Sequence, residues 1–311
     1  MAANRRGTSD ARRRRDDLAW PAEGRILQSV ESPRRAAARL APLPVSVSML
    51  MLVMMRLPGA AQQPIGPAGP AGPAGPDIRP AIARLVSAYP DHLCDARDNA
   101  VVFCDGDSMV FDDGKPKTFA EKLAGADLED QLAQAYPTGP STAPARDFDP
   151  GRARATAFFE KVYGDSPTAV KRRLTRVAWL PHLSGRGLHV TRINGVDHRL
   201  RAVARAIAVL PRSSQQAVAQ SAGGFKWRSI RGEQRRSMHS FGIAVDVGGG
   251  HADYWRWRKL DPAGLIPYRN RIPLDVVAAF ERHGFIWGGR WYHYDTMHFE
   301  YRPELLPARD P

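Results

Sequence analysis

The stretch SMHSFGIAVD, Ser237 to Asp246, decides how the rest of the chain is read. Ile243, Val245 and Val247 alternate with Ala244 and Asp246, which predicts a strand with Asp246 on the face opposite the three larger apolar side chains. His239 precedes that strand, and a bend at Gly242 would carry its imidazole back to the Asp246 carboxylate. A third group lies further on in YHYDTMHFEY, Tyr292 to Tyr301, where a closing strand is expected over residues 297–301 and holds His298. Two imidazoles and a carboxylate are a ligand set for a catalytic metal ion, because three protein ligands leave the fourth tetrahedral position open.

Working outward, Pro273 and Gly284 bracket a helix expected over residues 274–283. Upstream, Leu188 to Ile193 suits a strand, and Asp197 can cap a helix whose Leu200, Val203, Ile207 and Leu210 share one face before Pro211 ends it. A helix is predicted over residues 152–163. Between Ala81 and Asp149 a helical stretch (81–88) leads into a hairpin, with Val101 to Phe103 and Ser108 to Phe111 either side of an Asp105-Gly106 turn. The stretch from Thr138 to Pro150, rich in Pro, Ser and Thr, reads as a surface connection. Helices mixed with hairpin-type strands, without regular strand–helix alternation, predict an α+β fold: a small antiparallel sheet with flanking helices.

The N-terminal fifth has a different character. Residues 1–59 carry eleven Arg against five acids, roughly half of the formal charge of +13, so the basic excess does not mark a nucleic-acid groove on the folded part. An Arg-rich run, an apolar stretch from Leu40 to Met55 and the small residues Gly59, Ala60 and Ala61 read as a signal peptide, with a disordered basic leader as the alternative (1–61). Gly66 to Pro76 is GPAGPAGPAGP, too short to trimerise and expected to act as a stiff spacer within a linker over 62–80. An accessory hairpin region (81–150) and a main domain (151–311) follow. A stable membrane span is not expected, since that needs ~20 mostly apolar residues. Cys94 and Cys104, the two cysteines of the chain, bracket the expected hairpin and would pair in an exported protein.

The motif S-x-H-x-x-G-x-A-x-D followed far downstream by an acid-x-x-H resembles the LAS zinc peptidases, which include D-alanyl-D-alanine carboxypeptidases, vancomycin-resistance D,D-peptidases, phage L-alanyl-D-glutamate endolysins and the hedgehog signalling domain. FKWR (225–228), YWRW (254–257) and FIWGG (285–289) are similar to the carboxypeptidase-like branch. The resemblance implies one Zn2+ held by His239, Asp246 and His298, a peptidoglycan stem peptide as substrate, and an exported, periplasmic or wall-associated enzyme. It also implies a carboxylate base, carried here by Asp295 where vancomycin-type members have Glu and the endolysin-like branch has Asp. An arginine is expected at the substrate carbonyl or carboxylate; Arg228 fits first and Arg235 second.

Other residues remain open between two uses. Glu300, two positions past His298 and on its face of the strand, is a rival base or a group that orients the ligand. Ser237 could hydrogen-bond near ligand or substrate, or simply cap a turn. His293 could contact substrate, or replace a ligand in another strand register. Tyr254, Trp255, Trp257, Trp287 and Trp291 read as core and pocket wall. Gly248 to Gly250 lacks the Lys-Ser/Thr of a phosphate loop and is expected to be a turn. The flanking sequence leans to removal of a terminal D-Ala and the Asp base to cleavage between L-Ala and D-Glu; a non-catalytic zinc domain and a surface spacer protein are the readings from other classes.

Overall fold

The computed structural model describes residues 77–183, 186–230 and 232–307. The basic leader, with its signal-like stretch, and the Gly-Pro-Ala repeat lie outside the described residues.

The fold is α+β and its strands pair antiparallel throughout the described residues. Helix α1 (Arg79–Ala88) leads into β1 (Leu93–Arg97), β2 (Ala100–Phe103) and β3 (Ser108–Val110), which form one small sheet. The Asp105-Gly106 turn joins β2 to β3, with Gly106 at φ +95°. Strand β1 has no counterpart in the sequence reading, because only Leu93 of its five residues is buried and no alternation marks it. Cys94 and Cys104 are joined by a disulfide across the β1–β2 pair.

Two short helices follow, α2 (Phe119–Gly125) and α3 (Leu128–Leu132), each opened by a capping box: Thr118 with Glu121, and Asp127 with Asp130. Helix α4 runs Thr156–Tyr163, four residues shorter at its start than expected, because Gly151 to Ala155 form a separate strap held by the surrounding structure. The Pro-rich stretch before it is a surface connection except at its last two residues. Asp149 and Pro150 are buried, and the Pro150 carbonyl accepts from Trp291 Nε1 at 2.7 Å.

Helix α5 (Pro167–Lys171) precedes the paired strands β4 (Leu174–Ala178) and β5 (Gly187–Thr191). Helix α6 (Val196–Ala208) buries Leu200, Val203 and Ile207 as its 3.6-residue pattern predicts. Its N-cap, however, is Gly195 in the left-handed region, and Asp197 sits inside the first turn, where it pairs with Arg201 one turn on. Helix α7 (Arg212–Ala217) completes the crossover to the main sheet.

That sheet has the order β6-β7-β9-β8, from β6 (Ser221–Gly223), β7 (Ala244–Val247), β9 (His298–Tyr301) and β8 (Phe285–Trp287). Helix α8 (Leu274–Glu281), capped by Pro273, covers one face: Phe280 stacks on Phe299 with ring centroids 3.8 Å apart, and Val276, Val277 and Ala279 are buried with it. Val245 opposes Phe299 across the β7–β9 pair, so the odd-numbered positions of both strands serve the core. The even-numbered positions, Asp246, His298 and Glu300, emerge together on the other face. One continuous apolar core extends from Ile82 to Leu306 and takes in the N-terminal helix, the β1–β3 sheet and the main sheet alike. Among the described residues no helix is long and apolar enough to cross a membrane.

Candidate metal centre

Asp246 and His298 are direct cross-strand partners in the β7–β9 ladder, which places their side chains on one face with Cβ atoms ~4.5–5.5 Å apart. His239 arrives from a 3-10 turn over Met238–Phe241 that closes onto Gly242, whose N–H donates to the His239 carbonyl at 3.1 Å. Gly242 takes φ +69°, and a Cβ there would meet Leu174 Cδ2 at 2.8 Å and Thr191 N at 3.0 Å, so the bend needs glycine on both counts.

Each imidazole is fixed by its outer nitrogen. His239 Nδ1 donates to the Gly224 carbonyl at 2.7 Å, and His298 Nε2 donates to Glu300 Oε2 at 3.0 Å. The remaining nitrogens, Nε2 of His239 and Nδ1 of His298, both lie 3.1 Å from Asp246 Oδ1. One ligand atom from each of the three residues falls within 4.8 Å of the others. With the outer N–H committed, the inner nitrogen is the one left to coordinate a metal, so this group could hold one ion. Two acidic groups, Asp112/Asp113/Asp127 and Asp127/Glu129/Asp130, bring carboxylates equally close. There the Lys117 ammonium already sits 2.9 Å from Asp127 and 2.6 Å from Asp130, so the cation is the protein's own.

The electrostatics follow the geometry. Burial alone would raise the Asp246 carboxyl, but His239 and His298 outweigh it and hold it well below the usual carboxylate range. Asp295 goes the other way: burial first, and the Asp246 charge second, push it up to about 6. Its Oδ1 is buried with no hydrogen-bond partner among the described residues. The backbone that presents it is tightly built, with Asp295 N–H donating to Gly288 O at 3.0 Å and a Cβ on Gly288 coming within 2.5 Å of the Asp295 carbonyl. Glu300 is fully buried; burial opposes its charge, yet Arg154, His298 and Arg302 hold it below its ordinary range.

The other residues singled out from sequence divide by location. Arg228 has an exposed side chain, but its backbone is clamped to the His239 turn: Ser240 Oγ accepts from Arg228 N–H and donates to Arg228 O, both at 2.9 Å. Arg235 is half-buried, paired with Glu233 and donating to the Arg152 carbonyl at 2.7 Å. Ser237 is buried at the start of the His239 turn, its N–H donating to Arg228 O. His293 stands apart from the three clustered groups. Its Nδ1 lies 2.6 Å from buried Asp149, and its ring packs edge-on against Trp255. Trp287 and Trp291 are buried, Tyr254 and Trp255 half-buried, and Trp257 exposed.

Sequence reasoning missed Ser240, Asp149, Arg152 and Arg154. Arg152 is buried over the Trp291 ring at 5.8 Å, between Asp149 and Glu233. Arg154 donates to Glu300 Oε2 at 2.6 Å. The helix expected over residues 152–163 would have included both arginines, and nothing in their spacing points to a strand 146 residues away.

Residues 231–301, which contain all three clustered groups and Asp295, match a family model described as D-alanyl-D-alanine carboxypeptidase. No curated protein matches the chain. No solved structure matches it either.

Proposed function

We propose that the chain is a zinc peptidase that hydrolyses an amide bond in the stem peptide of peptidoglycan, with His239, Asp246 and His298 as ligands to one Zn2+. The observation that carries the reading is the convergence of the two inner imidazole nitrogens on one carboxylate oxygen, each imidazole locked by its outer N–H. The family match supports a peptidase, and its description favours release of a terminal D-alanine. The disulfide accords with export to an oxidising compartment.

When bound, zinc supplies Lewis acidity and brings the pKa of water to roughly 7. The protein's own part is proton handling and positioning. Asp295 takes the proton of the attacking water at its unpartnered Oδ1 and delivers it to the leaving amine. Arg228, whose side chain has no acid partner among the described residues, meets the carbonyl oxygen as negative charge develops there. Arg235 is occupied by Glu233 and the Arg152 carbonyl and is assigned to holding the loop. His293, packed edge-on against Trp255, is assigned to substrate contact, and Ser237 shapes the turn that presents His239.

The test is metal analysis with digestion of purified muropeptides. One zinc per chain and free D-alanine are expected from the wild type, and His239→Ala should lose both. Undiminished hydrolysis by His239→Ala, or in excess chelator, would end this reading. Asp rather than Glu at position 295 favours a second one, cleavage between L-Ala and D-Glu, which would show as a new D-Glu amino terminus in the same digest.

A further inference from the structure

We propose that Arg154, which lies far outside the matched stretch, is a positioning residue for the metal centre: it fixes Glu300, and through Glu300 the imidazole of His298. The proposal rests on the metal reading above, and its test reads the metal before it reads any hydrolysis.

Glu300 is fully buried, so its charge must be met by donors of good geometry. Its two oxygens are used differently. Oε1 accepts from Arg302 Nη1 at 2.9 Å, and Arg302 is shared with Glu304 and with the Gly151 carbonyl. Oε2 accepts from His298 Nε2 at 3.0 Å and from Arg154 Nη2 at 2.6 Å. Arg302 therefore anchors the far side of the carboxylate, while Arg154 sets the position of the oxygen that the imidazole meets.

The commitments of Arg154 are narrow. Its side chain is nearly buried, makes one hydrogen bond among the described residues, and leaves Nε without a partner. A guanidinium has five donors, and one serving only to glue the interior would spread them over several acceptors. Its guanidinium also lies over the Trp291 ring at 5.9 Å, and that ring lies 5.7 Å from His298. Glu300 and Trp291, the acid and the ring that the guanidinium meets, thus both adjoin the same imidazole.

The strap carrying Arg154 is itself fixed. Gly151 takes φ +87° where a Cβ would meet Ile286 Cδ1 at 2.7 Å and Leu305 Cδ1 at 2.8 Å, so the chain lies flat on the sheet beside Glu300. At the other end Ala155 N–H donates to Gln131 Oε1 at 3.1 Å, and Gln131 Nε2 reaches Glu304 at 3.2 Å alongside the Tyr89 hydroxyl. Residues well upstream of the matched stretch are in this way part of the unit that holds the metal.

The experiment compares full-length wild type, Arg154→Met and Arg154→Lys. Zn2+ affinity is read by competition with a chromophoric chelator, and ligand geometry by the visible spectrum of the Co2+-substituted chain. Arg154→Met should bind Zn2+ about tenfold more weakly, the scale seen when an outer partner of a metal ligand is removed, and shift the Co2+ bands. Arg154→Lys, which keeps a donor cation, should recover most of the affinity. Wild-type affinity and an unshifted spectrum in folded Arg154→Met overturn the proposal. If Arg154→Met does not fold, the decision passes to the His298 Nε2–H resonance of zinc-loaded Arg154→Lys, which should move from its wild-type position; an unmoved resonance overturns the proposal equally. A wild type that binds Zn2+ yet releases neither product ends the peptidase reading alone, while one that binds no Zn2+ ends both.

Discussion

Asp246 and His298 face each other across the β7–β9 pair, with Asp246 Oδ1 3.1 Å from His298 Nδ1. In the metal-free chain that contact is an ion pair. Burial alone would lower the imidazolium, but the Asp246 and Glu300 carboxylates outweigh it and push it up to about 9. A metal must therefore displace a proton from His298, and the apparent Zn2+ affinity should rise about tenfold per pH unit until about pH 9 and then level. The folded value lies above the unfolded one of about 6.5, so the stabilisation is complete below that pH and is lost as pH climbs through about 9. The melting temperature of metal-free protein should fall over this window. Zinc titrations and melts at a series of pH values test both; affinity that is flat from pH 7 to 9 would mean that zinc displaces no proton from His298.

Asp295 supplies no atom to the cluster, yet burial and the Asp246 charge act directly on its carboxyl. Replacing it by Asn keeps the shape and removes the base. Hydrolysis should drop by about 10²–10⁴, the usual range for loss of a general base, with zinc content unchanged. Equal rates for wild type and Asp295→Asn would take the catalytic role from this residue. A wild type that holds zinc and cleaves nothing would favour the non-catalytic binding domain.

What the sequence disclosed and what it hid divide along the distance over which a signal acts. The Ile243–Val247 alternation carries its own burial pattern, so the strand, and the face bearing Asp246, can be read from five residues. The fold class was legible for the same reason, through local turns such as Asp105-Gly106 and bracketed helices such as α8. Strand β1 was not legible, being exposed at four of its five positions. The helix cap was misassigned to Asp197, since a side chain able to cap can also make an i,i+4 pair, and here it does so with Arg201. Arg154 was beyond reach altogether: its meaning lies in Glu300, and only the folded chain brings the two together.

Gly242 offers a test of how the first ligand is delivered. Gly242→Ala forces a Cβ into the left-handed region and within 3.0 Å of backbone at Thr191, which cannot yield as a side-chain tip would. Destabilisation of about 1–3 kcal/mol is expected from the strained conformation. The larger effect should be on the metal, because the His239 turn closes on this residue. Denaturant melts and zinc affinity report separately; an alanine tolerated in both would show that the turn has room to shift.

The Cys94–Cys104 bridge closes a short loop, ten residues apart in sequence, over a sheet that buries few of its own side chains. Cross-linking so short a loop should contribute about 2–3 kcal/mol, largely through the unfolded chain. Cys94→Ser with Cys104→Ser, or reductant, should therefore lower the unfolding free energy by that amount, read from the shift in denaturant midpoint. Zinc affinity should hardly change, since the bridge touches neither Glu300 nor the strap that carries Arg154. The sheet does reach the core through Phe103, whose ring lies 6.2 Å from that of Phe158 on α4, immediately after the strap. If opening the bridge weakens metal binding as much as Arg154→Met does, strain in the hairpin is transmitted along that route, and the sheet would belong to the metal-holding unit rather than serving as a separately stabilised neighbour.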